Sequence, residues 1–183
     1  MLMSNLLTDP LDAKAFRSTM GRFATGVTVI TTRTGDQVHG MTANGFMSVS
    51  LEPPLIVVSI ARAARMHDTL AASGTYGVSV LCSDQERLSG HFAGQPRDDV
   101  APDFEWADGV PVIAGSLVQI VASVTDAHPA GDHTLYVGRV RHLAVRENAE
   151  PLVFHEGRYR ALLAMRPEYP DGWSGFALDP HGP

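Results

Sequence analysis

Apolar residues in this chain mostly alternate with polar ones or gather in short blocks, and only three stretches repeat at helical spacing. In "DPLDAKAFRSTMGRFATG", Phe16, Met20 and Phe23 fall at i, i+4 and i+7 behind a capping Asp12. That stripe predicts a helix packed on the core and stopped by Gly26. "ARMHDTLAASG" puts Met66 and Leu70 on one face before a stop at Gly74. "QERLSGHFAG" puts Leu88 and Phe92 at i and i+4, with Ser83 or Asp84 as its cap.

Strand signals fill most of the remainder. "GVTVITTRTGDQVHGMTANGF" is a hairpin pattern, its first arm β-branched and its turn supplied by "TGD". "FMSVSL" alternates Met47, Val49 and Leu51 against Ser48 and Ser50, as a half-buried strand does. Glu52-Pro53-Pro54 breaks it, and the continuous run "LIVVSI" predicts a central strand. "TYGVSVL", "SLVQIVASVTDA", "HTLYVGRVRHLAV" and "PLVFHEGRYRAL" add further strands, with "PAGD" (129–132) as the turn between the two longest. Residues 95–109 are polar and predict a loop, while periodicity is lost from Met165 onward. Many strands, few helices and no β-α alternation indicate a mainly β fold, a closed barrel with added helices. The expected division is an N-terminal extension over 1–11, one domain over 12–164 and a C-terminal tail over 165–183.

Composition narrows the classes of function. At 183 residues the chain suits a single domain able to bury its own core. A net charge of −6 disfavours a broad nucleic-acid surface but leaves room for a local arginine cluster that holds a phosphate. Lys14 is the only lysine among the 14 basic residues. Cys82 is the sole cysteine, so no disulfide framework is expected and a reducing cytoplasm fits. Residues 1–13 lack the basic start and apolar core of a secretion signal, and no run approaches the ~18 apolar residues of a spanning helix. The expectation is a cytoplasmic protein that uses neither membrane nor nucleic acid.

Familiar catalytic signatures are missing: there is no GxGxxG after a strand, no GxxxxGK[ST], no GxSxG and no HExxH. The eight histidines do not pair at ligand spacing, so no metal is expected. What stands out is "GMTANGFMSVSLEPP" (40–54), where small and hydroxyl-bearing residues occupy a strand-like region. Two readings fit it. Thr42, Ala43, Asn44 and Gly45 form either a tightly packed barrel corner or a small, weakly polar bed for a flat aromatic ligand, with Ser48 and Ser50 as hydroxyl donors. Ser59, Arg62 and Arg65 surround the start of the second helix, either as an anion site or as a solvated surface. His133 opens a strand just after a turn, either as an ordinary turn residue or as a hydrogen-bonding partner for a ligand amide.

Taken in order, "FATGVTVITT", "GMTANGFMSVSLEPPLIVVSI", "SGTYGVSVL", "HFAG" and "GDHTLYVGRV" resemble the flavin reductase domain family over roughly residues 12–162. The resemblance implies an FMN-binding split β-barrel of Greek-key type, assembled as a homodimer with flavin near the subunit interface. By motif it would set Thr42, Ala43 and Asn44 against the isoalloxazine ring and Ser48, Val49 and Ser50 on the ribityl-phosphate side. Ser59 and Arg65 would lie near the phosphate, Phe92 and Ala93 along the edge of the site, and His133 at the nicotinamide. Two positions depart from the family: Gly45 stands where Ser is usual after TAN, and Ala64 and Met66 flank Arg65 where Ser or Thr is frequent. The implied activity is hydride transfer from NADH or NADPH to FMN or FAD, with reduced flavin passed to a partner monooxygenase. A non-catalytic flavin-binding module and a split-barrel enzyme acting on another small substrate are the alternatives.

Overall fold

A computed structural model describes residues 12–162. Asp12 caps the first helix, α1 (Ala13–Met20), its carboxylate accepting from the Lys14 and Ala15 amides at 2.8 Å each. The chain then runs through β1 (Thr25–Gly26), β2 (Thr28–Thr34), β3 (Gln37–Ala43), β4 (Phe46–Leu51) and β5 (Pro54–Ala61) into α2 (Arg65–Ser73). After β6 (Thr75–Val80) come a single 3-10 turn (Ser83–Gln85), α3 (Glu86–Phe92), β7 (Phe104–Ala107) and β8 (Val110–Ile113). The long strands β9 (Val118–Ala130) and β10 (His133–Val145) follow, then β11 (Val153–His155) and β12 (Arg158–Arg160).

Seven antiparallel strands form the main sheet in the order β3-β2-β6-β9-β10-β5-β4. Its two outermost strands, β3 and β4, are consecutive in the chain and joined only by Asn44 and Gly45. All seven strands contribute to one cluster: Ile30, Val58, Tyr76, Ile120 and Tyr136 are buried in it, with Met41 and Phe46 packed from β3 and β4. The sheet is therefore curled around one core and split along the β3–β4 seam, the mainly β split barrel that was expected. α2 seats one end, with Met66 and Leu70 fully buried, each worth roughly 1.5–3 kcal/mol of apolar transfer. Gly74 ends α2 at φ 66°, a left-handed turn that glycine adopts without penalty. A smaller sheet, β1-β11-β12, packs with α3 over a second cluster around Val27, Val29, Leu81, Ile113 and Leu152.

Several sequence expectations are corrected. α1 ends at Gly21, not Gly26, and buries no side chain: Phe16, Met20 and Phe23 are 59 %, 53 % and 72 % exposed. Among the described residues nothing covers this amphipathic stripe. Met47, Val49 and Leu51 of β4 are exposed too, because β4 is an edge strand and carries a bulge between Ser48 and Ser50. β5 is not evenly buried: Ile56, Val58 and Ile60 point to the core, and the alternating residues lie half-buried on the outer face. α3 is introduced by Cys82 and Gln85 rather than by Ser83 or Asp84, the Cys82 amide donating to Gln85 Oε1 at 2.9 Å. The polar segment 95–109 holds a strand, β7, paired with β8 across Asp108 and Gly109. The expected extension over 1–11 and tail over 165–183 lie outside the described residues.

Candidate functional site

The seam brings part of the expected set together. β3 reaches it with Thr42 and Ala43, and Asn44 and Gly45, both exposed, cross to β4. The Gly45 carbonyl accepts from the Ser59 amide at 2.8 Å, which clamps the crossing to the far end of β5. A Cβ at Gly45 would stand 3.1 Å from the Ser59 Cβ, so glycine keeps a hollow there that a larger residue would fill. Beyond it, β5 pairs with β10 so that Ser59 faces Leu135 and Ala61 faces His133. Cross-strand partners share a face, so Ser59, Ala61 and His133 line one half-buried outer shelf beside the crossing.

Among the described residues His133 is oriented from one side only. Its Nδ1 lies 2.8 Å from Asp132 Oδ1, which leaves Nε2 free for another partner. The hydrogen bond from His133, followed by its charge, holds the Asp132 carboxyl below the usual carboxylate range. The Arg62 amide donates to the Asp132 carbonyl at 2.9 Å, tying the β9–β10 turn to the end of β5. Arg65 opens α2 next to this turn, and neither Arg62 nor Arg65 has a carboxylate within salt-bridge distance among the described residues. Burial, and then the Arg65 charge, lower the pKa of His39 on β3, so Arg65 lies close to that strand as well.

Other expected residues sit farther from this shelf or are used in packing. The Thr42 hydroxyl donates to the Ser89 carbonyl at 2.7 Å, binding β3 to α3. Phe92 presses on Gly40 and meets Phe104 edge to face at 6.3 Å, while Ala93 is exposed at the end of α3. Ser48 pairs with Ile56 and Ser50 with Leu55, so both lie down β4 from the crossing, and Val49 is the bulged residue between them. Ser50 is thus set about 13 Å from Ser59, four residues along the strand. Sequence patterns did not single out His67, Thr134 or Tyr136, which join α2 to β10 under the shelf.

Two cavities lie elsewhere: one of about 300 Å³ is lined by Arg33, Ser73, Thr75 and Gly109, and one of about 210 Å³ by Glu105, Gln119 and Arg146. Gly35, beside Arg33, is at the opposite end of the β2–β3 hairpin from Ala43. The seam itself is an open shelf of small residues, an exposed amide at Asn44 and one imidazole nitrogen. The turn after β5 and the start of α2 add Arg62 and Arg65, which have no ion-pair partner among the described residues. That donor set fits a flat, phosphorylated heteroaromatic ligand, and the hollow kept by Gly45 gives it room.

Comparison with known proteins agrees. Residues 20–163 match the flavin reductase like domain. An NADH-dependent flavin reductase from a Rhodococcus species is 48 % identical over 160 residues, covering 86 % of this chain and 90 % of that protein. The reductase component of 4-hydroxyphenylacetate 3-monooxygenase from Thermus thermophilus is 37 % identical over 150 residues, covering 82 % and 97 %. The solved structure of the Streptomyces globisporus NADH:FAD oxidoreductase, in complex with NAD and FAD fragments, superposes with a TM-score of 0.79 at 37 % identity, covering 86 % and 97 %. With its domain match and its relatives in agreement, this chain belongs to the flavin reductase like domain family.

Proposed function

We infer that the chain oxidises NADH and passes the hydride to FMN or FAD at the β3–β4 seam, releasing reduced flavin for a partner monooxygenase. The observation that carries this is the shared shelf of Asn44, Gly45, Ser59 and His133, flanked by Arg65. NADH is the reductant because the Rhodococcus relative is named for it, and the Thermus relative's name supplies the monooxygenase. The catalytic unit spans 12–164 and works in the cytoplasm; no helix among the described residues is long and apolar enough to cross a membrane.

Flavin, when bound, supplies the hydride acceptor and NADH the donor, so the protein's task is to place the two rings and their charges. Thr42, Ala43, Asn44 and Gly45 offer a small-residue bed with backbone and amide groups for the ring edge. Ser48, Val49 and Ser50 serve the ribityl side along β4, Ser59 and Arg65 the phosphate, and Phe92 and Ala93 the outer edge. His133, its Nδ1 held by Asp132, turns Nε2 to the nicotinamide carboxamide. Hydride transfer needs no general base, in keeping with a shelf that holds no nucleophile–base pair.

The partner of the exposed apolar faces on α1 and β4 is a second copy of this chain. Six large apolar side chains, Phe16, Met20, Phe23, Met47, Val49 and Leu51, are each at least 47 % exposed, which favours association over a free surface.

His133→Ala tests the assignment. The NADH Michaelis constant should rise about tenfold, the worth of one ligand hydrogen bond of roughly 1.4 kcal/mol, with flavin affinity nearly unchanged. A larger loss of flavin than of NADH would remove His133 from the nicotinamide side.

A further inference from the structure

His67 stands in the first turn of α2, two residues after Arg65, and its imidazole reaches back to β10. Its Nε2 lies 3.0 Å from the Thr134 hydroxyl and its Nδ1 3.0 Å from Asp68 Oδ1. An ionised Asp68 accepts only, so Nδ1 carries the proton and, in the neutral ring, Nε2 accepts from Thr134. The Tyr136 hydroxyl donates to the His67 carbonyl at 3.2 Å, and the two rings meet edge to face with centroids 5.7 Å apart. His67 therefore grips β10 at Thr134 and Tyr136, both buried. Along a strand, side chains alternate between faces, so these two residues interleave with His133 and Leu135 on the outer shelf. This end of β10 is held in the sheet by its ladders to β5 and β9 and by the backbone bond from Arg62 to Asp132, and the His67 contacts are what dock α2 onto it.

We propose that His67 is a positioning residue: through Thr134 and Tyr136 it sets the strand that carries His133 against the helix turn that carries Arg65. It thereby fixes the nicotinamide partner and the flavin-phosphate partner relative to each other. This role rests on the reductase function proposed above. Asp68 of α2 and Tyr136 of β10 are the titratable groups in contact with His67 among the described residues. The ring itself bonds Asp68 and Thr134, of which Asp68 carries the charge.

Loss of this grip has a signature that loss of His133 lacks, because both ligands are affected. In His67→Leu the NADH Michaelis constant and the flavin dissociation constant, from quenching of flavin fluorescence, should each rise about fivefold, since sub-ångström displacement of a positioned group weakens its contacts. His67→Gln, whose amide can still meet the Thr134 hydroxyl, should recover most of both. Thr134→Val removes the hydroxyl at constant volume and should reproduce His67→Leu, with the double variant no worse than either single one. If His67→Leu does not fold, Thr134→Val carries the test by itself. Constants within about twofold of the unaltered protein, a Gln variant as impaired as Leu, or additive effects in the double variant would each overturn the assignment. An unaltered protein that binds flavin but leaves NADH unoxidised would overturn the reductase function, and this role with it, on the control alone.

Discussion

Gly40→Ala is the most informative small change in the scaffold of the site. A Cβ at Gly40 would lie 2.5 Å from Phe92 Cε1, 2.7 Å from Cδ1 and 3.2 Å from Cζ. Ordinary carbon contacts are ~3.5–4.0 Å, so the ring must retreat by about an ångström, out of its packing on Phe104. Overpacking of this kind costs about 1–3 kcal/mol, and since Phe92 is half-buried and able to yield, about 2 kcal/mol is expected. Phe92→Ala deletes a half-buried ring, roughly half the 3–5 kcal/mol of a fully buried one, so about 2 kcal/mol as well. With the ring gone the three atoms nearest the added methyl are removed, and replacing a strand glycine by alanine gains about 0.5–1 kcal/mol. Gly40→Ala should thus change sign between the two backgrounds, with a coupling of about 2.5–3 kcal/mol.

Urea unfolding of the four proteins, followed by circular dichroism, measures that coupling directly. Gly40→Ala alone should also weaken flavin binding, because Phe92 and Ala93 border the proposed site. Equal effects of Gly40→Ala with and without the Phe92 ring would refute the contact as the reason for glycine at position 40.

Three further outcomes are expected. Gly45→Ala, bringing its methyl to 3.1 Å from Ser59 Cβ, should lower flavin affinity severalfold at about 1 kcal/mol of stability; tighter flavin in a binding titration would show that the hollow is not used. Leu51→Asp and Met47→Asp, each at a residue 60 % exposed on β4, should convert a dimer to a monomer in sedimentation velocity, and unaltered association would move the interface off this strand. Cys82 is 3 % exposed and burial raises its thiol pKa above the ordinary value, so at neutral pH less thiolate is present than in the unfolded chain. A disulfide reagent should therefore modify it far more slowly in the native protein than in urea, and equal rates would contradict the burial.

The strands were legible because alternation and turn chemistry are local. The "TGD" and "PAGD" turns and the Gly74 stop all fall where the residues require them. Asp108-Gly109 was an equally plain signal inside the polar segment 95–109; both residues take positive φ, 48° and 77°, as the tight β7–β8 hairpin needs. It was masked by the surrounding charge, which gave the whole stretch the look of a loop. The stripe on α1 was read as a core contact and β4 as a half-buried strand, yet their large apolar side chains are exposed among the described residues, since a pattern does not say what covers it. Thr42, Asn44, Ser59 and His133 could be named from the family motif. His67 could not, because its role depends on β10 presenting Thr134 to α2, a contact 67 residues away in the sequence.

The central claim is tested most directly by following the loss of reduced nicotinamide absorbance when the full chain is mixed with NADH and increasing FMN or FAD. Saturable oxidation that depends on added flavin is expected, faster with NADH than with NADPH. A protein that takes up flavin at the seam yet oxidises neither nucleotide would contradict the reductase function and leave a flavin-holding module in its place.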